Sequence, residues 1–353
     1  MFKVLHFSDS HLGNLQYGLA ERLKDFAAVL PQIAHIAIEQ KVNLVVDAGD
    51  TFDSPEPDPF SVQCYRQFAD RLKAAGIPLL SVVGNHNLHE LSAKTDRVSW
   101  LEAISGNVER PISTSGAHPV VARYGDLSGP NIGISVVACD WMPAEQIRRF
   151  LSEFDRTVPV DLLVLHQSCE GFIPEIQVCE LKLEQLAGVA RYVAIGDMHV
   201  NRMHELMGLV CQTTVASSGS TEMCNVGEPQ EKFVHVVTFD GPALLQVDRF
   251  PLAIRPLVRI KDTIQSENEL NGLRTTVLGY SSDNGGPTIS FAYNRELQHQ
   301  VQNLRAELLE KGYRLFRAEP ETQIDYSASF KAAAESSSAA MDEILVEVLS
   351  KEG

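Results

Sequence analysis

Five short segments hold most of the side chains in this sequence that could do chemistry. They are Asp9-Ser10-His11, Gly49-Asp50-Thr51-Phe52-Asp53, Gly84-Asn85-His86-Asn87, His166-Gln167 and Gly196-Asp197-Met198-His199. Each directly follows a short apolar run: Lys3–Phe7, Asn43–Ala48, Pro78–Val83, Asp161–Leu165 and Tyr192–Ile195. Such runs, bounded by turn residues, read as buried strands. Ligands bind at the carboxyl ends of strands in α/β folds. Five strand ends would therefore deliver carboxylates, an amide and imidazoles to one place. Two divalent ions about 3.5–4 Å apart need a shared ligand and terminal ligands on each side. Asp50 is the natural bridge. Carboxylate and imidazole suit manganese, iron or zinc, and an Asn amide oxygen is a weak, hard donor. Gly49, Gly84 and Gly196 are expected to let the backbone turn sharply.

Each segment alone is weak. A D-x-H triplet is common by chance, Gly-Asp after a strand is usually a turn, and most histidines are satisfied core or surface residues. Five in order, each at a strand end, are a different matter.

The elements that must position these residues alternate. The strand at Lys3–Phe7 is followed by a helical stripe of Leu23, Phe26, Leu30, Ile33 and Ala37, in which Pro31 predicts a kink or split. Asn43–Ala48 is a second strand, 60–75 a second helix and Pro78–Val83 a third strand. This βαβαβ rhythm predicts a largely parallel, helix-covered sheet. Strands follow at 131–138, 161–165 and 191–195, then Gly208–Gln212, Phe233–Phe239 and Leu244–Phe250. A strand-rich second half predicts a two-sheet sandwich with helices outside. From 257 to 318 the pattern is a small α+β unit, with strands at Val258–Ile260, Thr288–Ala292 and Tyr313–Phe316, a helix at Glu296–Glu310 and a shorter one before Ser281. An Ala/Ser-rich stretch at Ala332–Ala340 precedes Met341, Ile344, Leu345, Val348 and Leu349, one apolar helical face. The expected division is 1–255, 256–320 and 321–353.

The chain has 353 residues, 44% hydrophobic and 22% charged, which excludes a wholly disordered protein. A net charge of −16 excludes an overall basic nucleic-acid footprint, though not a local groove or bound cations. No apolar run approaches the ~18 residues of a membrane span. The N-terminal run is too short for a signal peptide. Six cysteines without a C-x-x-C pair read as reduced, mostly buried thiols, and the expected location is the cytoplasm, with no membrane partner.

The five segments resemble, in order, the D-x-H, G-D-x-x-D, G-N-H-D/E, lone His and G-H-x-H motifs of the calcineurin-like metallophosphoesterase superfamily. The resemblance covers roughly residues 1–255 as motifs. It implies an α/β, four-layer αββα sandwich and hydrolysis of phosphate esters at two metals. Carried over, Asp9, His11, Asp50 and His199 hold one metal, and Asp50, Asn85, His166 and Asp197 the other. His86 sits beside the substrate phosphate as the catalytic residue, off the metals. Two positions depart from the pattern. Asn87 stands where an acidic residue usually orients the preceding His. Asp197 replaces the first His of G-H-x-H, which adds a negative, harder donor and tilts the site toward manganese or magnesium and away from zinc; the rival reading is a weakened second site.

Within the superfamily, Phe52-Asp53, Leu165-His166-Gln167, Ser218-Gly219-Ser220-Thr221-Glu222 and Arg255-Pro256 resemble the SbcD-type DNA repair exonucleases. This implies a DNA-capping C-terminal α+β domain and a metal-dependent DNA exonuclease or endonuclease of repair or recombination. It implies a homodimer through helices near 58–75 and 90–105, and an SbcC-type coiled-coil ATPase partner that accepts the tail helix. One rival is a phosphoesterase for small phosphodiesters or phosphoproteins. The other is a non-catalytic scaffold subunit with a degenerate metal site. Asp53 is expected to hold its loop, His6 to be core and Cys169 to be simply buried, while His235 matches no motif.

Overall fold

Successive residues of strand β1 (Phe2–Phe7) enter different cores. Phe2 and Val4 pack between two sheets, while Leu5 and Phe7 pack beneath helices. Strand side chains alternate between faces, so a strand apolar on both must be covered on both. The computed structural model, which describes residues 1–87, 101, 120–126, 132–157, 160–173, 179–241, 243–314 and 316–321, meets that need with four layers.

After β1 come α1 (Ala20–Glu39), β2 (Leu44–Asp47), α2 (Pro59–Ala74) and β3 (Leu79–Ser81). Next are β4 (Val120–Asp126), β5 (Ile132–Ala138), α3 (Ala144–Glu153), β6 (Val160–His166) and β7 (Ala190–Gly196). Then follow β8 (Arg202–Met207), β9 (Gln212–Ser217), β10 (Lys232–Asp240) and β11 (Ala243–Leu252). The first sheet has the order β11-β10-β1-β2-β3, the second β4-β5-β6-β7-β9-β8. β1, β2 and β3 are mutually parallel, as are β5, β6, β7 and β9. α1 and α2 cover the outer face of the first sheet through Phe26, Leu30, Ile33, Phe68 and Leu72. Ile147 and Leu151 of α3 cover the second. Between the sheets Val46 and Leu80 meet Leu162, Val164 and Ala194. The fold is the αββα sandwich.

Three local expectations are corrected. Helix α1 runs unbroken through Pro31. Pro31 faces solvent, and the buried stripe of Phe26, Val29, Leu30, Ile33 and Ala37 holds the helix despite the missing N–H. Of Gly208–Gln212, only Gln212 is strand, the first residue of β9; Gly208–Cys211 is the turn between antiparallel β8 and β9, closed by Gly208 N–H donating to the Cys211 carbonyl at 3.0 Å. Its Leu209 is fully exposed, an apolar residue without a core. The last strand starts at Phe316 rather than Tyr313, because Gly312, at φ 90, ends the preceding helix there and Tyr313 packs inward. All six cysteines are free, two buried and four partly exposed.

Beyond Leu252 lie β12 (Leu257–Arg259), α4 (Glu267–Leu278), β13 (Thr288–Tyr293), α5 (Gln298–Glu310) and β14 (Phe316–Pro320). They form a three-stranded parallel sheet with its own core of Leu273, Val277, Ile289, Phe291, Leu304 and Leu308. Arg255 joins this unit to the sandwich: Nε and Nη2 donate to the two oxygens of Asp25 on α1, both at 2.6 Å, and Nη1 donates to the Gly286 carbonyl at 2.5 Å. Among the described residues no helix is long and apolar enough to cross a membrane. Most of the helix expected near 90–105, and the stripe from Met341 to Leu349 with its Ala/Ser-rich lead, lie outside the described residues.

Candidate metal centre

All five segments lie at the carboxyl ends of β1, β2, β3, β6 and β7, at one edge of both sheets. The turns are unusual. Asp9, His11, Asp50 and Asp197 have φ of 54, 41, 49 and 76°, and Lys41 is the one other described non-glycine residue with positive φ. Left-handed backbone at four of the expected ligands is the sort of strain that a surrounding structure imposes at functional sites. The first two loops are stitched together: Asp9 N–H donates to the Gly49 carbonyl at 2.9 Å and His11 N–H to the Asp50 carbonyl at 3.0 Å.

One half of the centre gathers around His166. Its Nδ1 donates to the Ala48 carbonyl at 2.8 Å, so Nε2 faces the cluster. Nε2 lies 3.1 Å from Asn85 Oδ1, 3.3 Å from Asp50 Oδ2 and 3.9 Å from Asp197 Oδ1. The other half gathers around His11 and His199, whose Nε2 atoms are 3.1 Å apart. Asp50 Oδ2 is also 3.9 Å from His11 Nε2, which puts one carboxylate oxygen between the halves. Asp9 accepts from Asp197 N–H at 3.0 Å and from Ser8 Oγ at 2.6 Å. Its ligand atom converges with those of Asp50 and His166 within 4.8 Å, so Asp9 borders the His166 half as well.

His86 is exposed at the mouth and stands edge-on to His11, ring centroids 5.1 Å apart. Its Nδ1 donates to the Asp53 carbonyl at 3.2 Å, and its N–H to Asp50 Oδ1 at 3.0 Å. Asn87 instead anchors the Phe52 carbonyl at 2.5 Å, so backbone replaces an acidic side chain in aiming His86. Asp53 does more than hold its loop: its Oδ1 also stands 3.2 Å from His11 Nδ1.

Close approach is what all three glycines serve, and only Gly49 also serves the turn. Of Gly49, Gly84 and Gly196, Gly49 alone has positive φ. A Cβ on Gly49 or Gly196 would strike the His166 ring, and one on Gly84 the Asp50 carboxylate.

Burial alone would raise the Asp50 carboxyl, but the imidazoles of His166, His11 and His86 outweigh it and hold it well below the carboxylate range. Burial would depress His166, but Asp50, Asp9 and Asp197 push it up to about 10. Burial likewise opposes His199, but Cys224, Glu228 and Asp9 push it up to about 11. Asp197 is raised to about 6 by burial, with His166 opposing and Asp9 and Asp50 adding to it. The salt-bridge partners of Asp50 and Asp197 among the described residues are all imidazoles. Three crowded carboxylates balanced only by protons on histidine make a site of strong negative potential, where divalent cations can replace protons. The carboxylate, amide and imidazole donors fit such ions.

Two contributors carry no sequence signal of their own. Glu228 Oε1 accepts from His199 Nδ1 at 2.9 Å, and the Cys224 thiol lies near His199 and His11. The run Ser218–Glu222 pointed at their loop but not at them.

Several known proteins are similar to this chain. The pattern of calcineurin-like phosphoesterases matches residues 2–201. The DNA double-strand break repair protein Mre11 of Saccharolobus solfataricus is 26% identical over 377 aligned positions, covering 99% of this chain and 90% of that protein. Its namesake from Aeropyrum pernix is 28% identical over 319 positions, 87% of this chain and 70% of that protein. A dimetal phosphatase from Danio rerio superposes with a TM-score of 0.41 at 12% identity, over 71% of this chain and 99% of that structure. The matched residues 2–201 run from β1 past β7 and contain every one of the five segments, and the chain therefore belongs to the calcineurin-like phosphoesterase family of metal-dependent hydrolases.

Proposed function

We propose that this phosphoesterase is a DNA nuclease of double-strand break repair or recombination, an exonuclease or endonuclease that works with an SbcC-type coiled-coil ATPase. The observation that carries this reading is the extent of the likeness: it covers 99% of the chain and 90% of a relative named as a DNA double-strand break repair protein. That extent takes in the C-terminal unit. The unit sits beside the site loops, with Arg259 Nη1 donating to the Val226 carbonyl at 2.8 Å. A small substrate needs no such cap. We take 1–255 as the nuclease unit, 256–320 as the cap and 321–353 as tether and tail helix.

In this reading Asp9, His11, Asp50 and His199 hold one divalent ion, and Asp50, Asn85, His166 and Asp197 the other. The pair supplies Lewis acidity and a water that ionises near neutral pH. The oxygen donors Asn85 and Asp197 favour manganese or magnesium on their side. The chain's own groups do the rest. Asp50 keeps both halves in register. Ala48 and Glu228 fix the tautomers of His166 and His199, leaving each Nε2 free. His86, with Nδ1 tied to Asp53, turns Nε2 outward. There it stabilises charge on the phosphate or protonates the leaving 3′-oxygen. A homodimer through α2 is favoured by its exposed Phe60, beside a hollow lined by Pro57, Pro59, Val62 and Arg66.

The test is cleavage of linear duplex DNA, a cyclic dinucleotide and a chromogenic phosphodiester, with manganese and after chelation. Duplex degradation that chelation abolishes and the ATPase stimulates is expected. Cleavage of the small diesters alone would assign a small-molecule phosphodiesterase, and no cleavage a scaffold subunit.

A further inference from the structure

The Cys224 thiol shares one small space with two imidazoles of the metal centre. Ligand atoms of His11, His199 and Cys224 all lie within 4.8 Å of one another. None of the five segments contains this cysteine, and neither metal position proposed above uses it.

Its placement is built. Cys224 N–H donates to Glu228 Oε2 at 3.3 Å, while Glu228 Oε1 accepts from His199 Nδ1 at 2.9 Å. One carboxylate thus positions both the imidazole and the segment that carries the thiol. Glu228 is in turn fixed by Lys232 Nζ at 2.6 Å and Ser220 Oγ at 2.9 Å. With His199 Nδ1 engaged, its Nε2 faces His11 Nε2 at 3.1 Å. The thiol's other partner is weak, a 3.8 Å contact to the Glu222 carbonyl. Cys224 also touches the core under α1. Packing there does not require its sulfur to lie within 4.8 Å of ligand atoms of two histidines.

Thiolate is a soft donor. It favours zinc, cobalt or iron over manganese or magnesium, and it gives up its proton on binding metal. The Asn85 and Asp197 side offers hard oxygens. The two halves of the centre therefore differ in character.

We propose that Cys224 is a thiolate donor to the ion held by His11 and His199, and that it makes this position select a borderline-soft divalent ion over manganese. This rests on the two-metal reading above.

The test titrates the metal-free full-length chain with cobalt(II). The wild type should develop visible ligand-field bands together with a near-ultraviolet sulfur-to-cobalt charge-transfer band. Cys224→Ser and Cys224→Ala should keep the ligand-field bands and lose the charge-transfer band. Zinc affinity should fall about tenfold or more in both, and manganese affinity should change far less. Cobalt X-ray absorption on the wild type, which needs no variant, should find sulfur among the cobalt neighbours. Ligand-field bands with no sulfur signal, or a charge-transfer band that survives Cys224→Ser, would overturn the thiolate assignment and leave the two-metal reading standing. Absence of ligand-field bands in the wild type would overturn both.

Discussion

His166 donates its Nδ1–H to the carbonyl oxygen of Ala48 at 2.8 Å. Ala48 extends β2 of one sheet, and His166 ends β6 of the other. This bond ties the two sheets together at the centre. A carbonyl can only accept, so the bond fixes which imidazole nitrogen carries hydrogen and turns Nε2 toward Asp50, Asn85 and Asp197. Gly49 and Gly196 lie so near the ring that neither position has room for a side chain.

Gly84 bears the same relation to Asp50. A methyl group there would overlap the Asp50 carboxylate and its backbone nitrogen. Overpacking of this kind costs about 1–3 kcal/mol. A Gly84→Ala protein should therefore fold, with a lowered melting temperature, and bind fewer than two metal ions per chain. Elemental analysis that finds wild-type metal content would show that Asp50 has room to move.

His86 is exposed and aimed by the Asp53 backbone, so its loss should leave the buried carboxylates and imidazoles in place. His86→Ala is expected to retain both ions and lose roughly 10²–10⁴ in turnover, the usual worth of a general acid or base. Reduced metal stoichiometry in this variant would instead make His86 a ligand, as its proximity to His11 and Asp50 allows.

Much of this centre is legible in the sequence, for a physical reason. Parallel strands covered on both faces are apolar throughout, so the Asp, Asn and His that end them stand out. Legibility stops where partners come from tertiary contact. Glu228 and Cys224 lie in a loop without apolar periodicity and meet His199 only because the chain folds back. Arg22 is wholly buried on α1, satisfied by Gln16, Asp25, Glu222 and the Met223 carbonyl. Nothing in the helical pattern marks it as different from a surface arginine. β8 is a half-exposed edge strand whose alternation is too weak to be legible in the sequence, and the apolar Leu209 and Val210 fall in its turn.

Asp197 departs from its family's usual His, and its backbone makes the exchange testable. Its φ of 76° is a conformation that Asp, Asn and His tolerate better than most residues. Asp197→His should keep the turn, supply an imidazole and retain two ions. Asp197→Ala should lose occupancy of the ion on the Asn85 and His166 side. Unchanged metal content and activity in Asp197→Ala would make Asp197 a turn residue only.

The last prediction concerns acid. Between the sheets a chain of donors runs from Asn201 Nδ2 to His235 Nε2 at 2.7 Å, from His235 Nδ1 to Tyr192 Oη at 3.2 Å and from Tyr192 Oη to His6 Nδ1 at 3.0 Å. Protonating either histidine would set two donors face to face. Burial, with Arg249 adding to it, lowers His235 to about 3, and burial with His235 lowers His6 well below 6.5. Both histidines are thus neutral when folded but free to charge when unfolded. Their contribution to stability is fully present above the unfolded value of about 6.5 and is lost as pH falls toward the folded value. At about pH 5 the loss from His235 alone is about 2 kcal/mol, and His6 acts in the same direction. A variant carrying His6→Gln and His235→Gln should be less stable near neutrality, yet lose less stability than the wild type between about pH 7 and about pH 5. Urea unfolding of the metal-free proteins at both pH values measures the difference. Equal losses in the two proteins would place the acid sensitivity elsewhere.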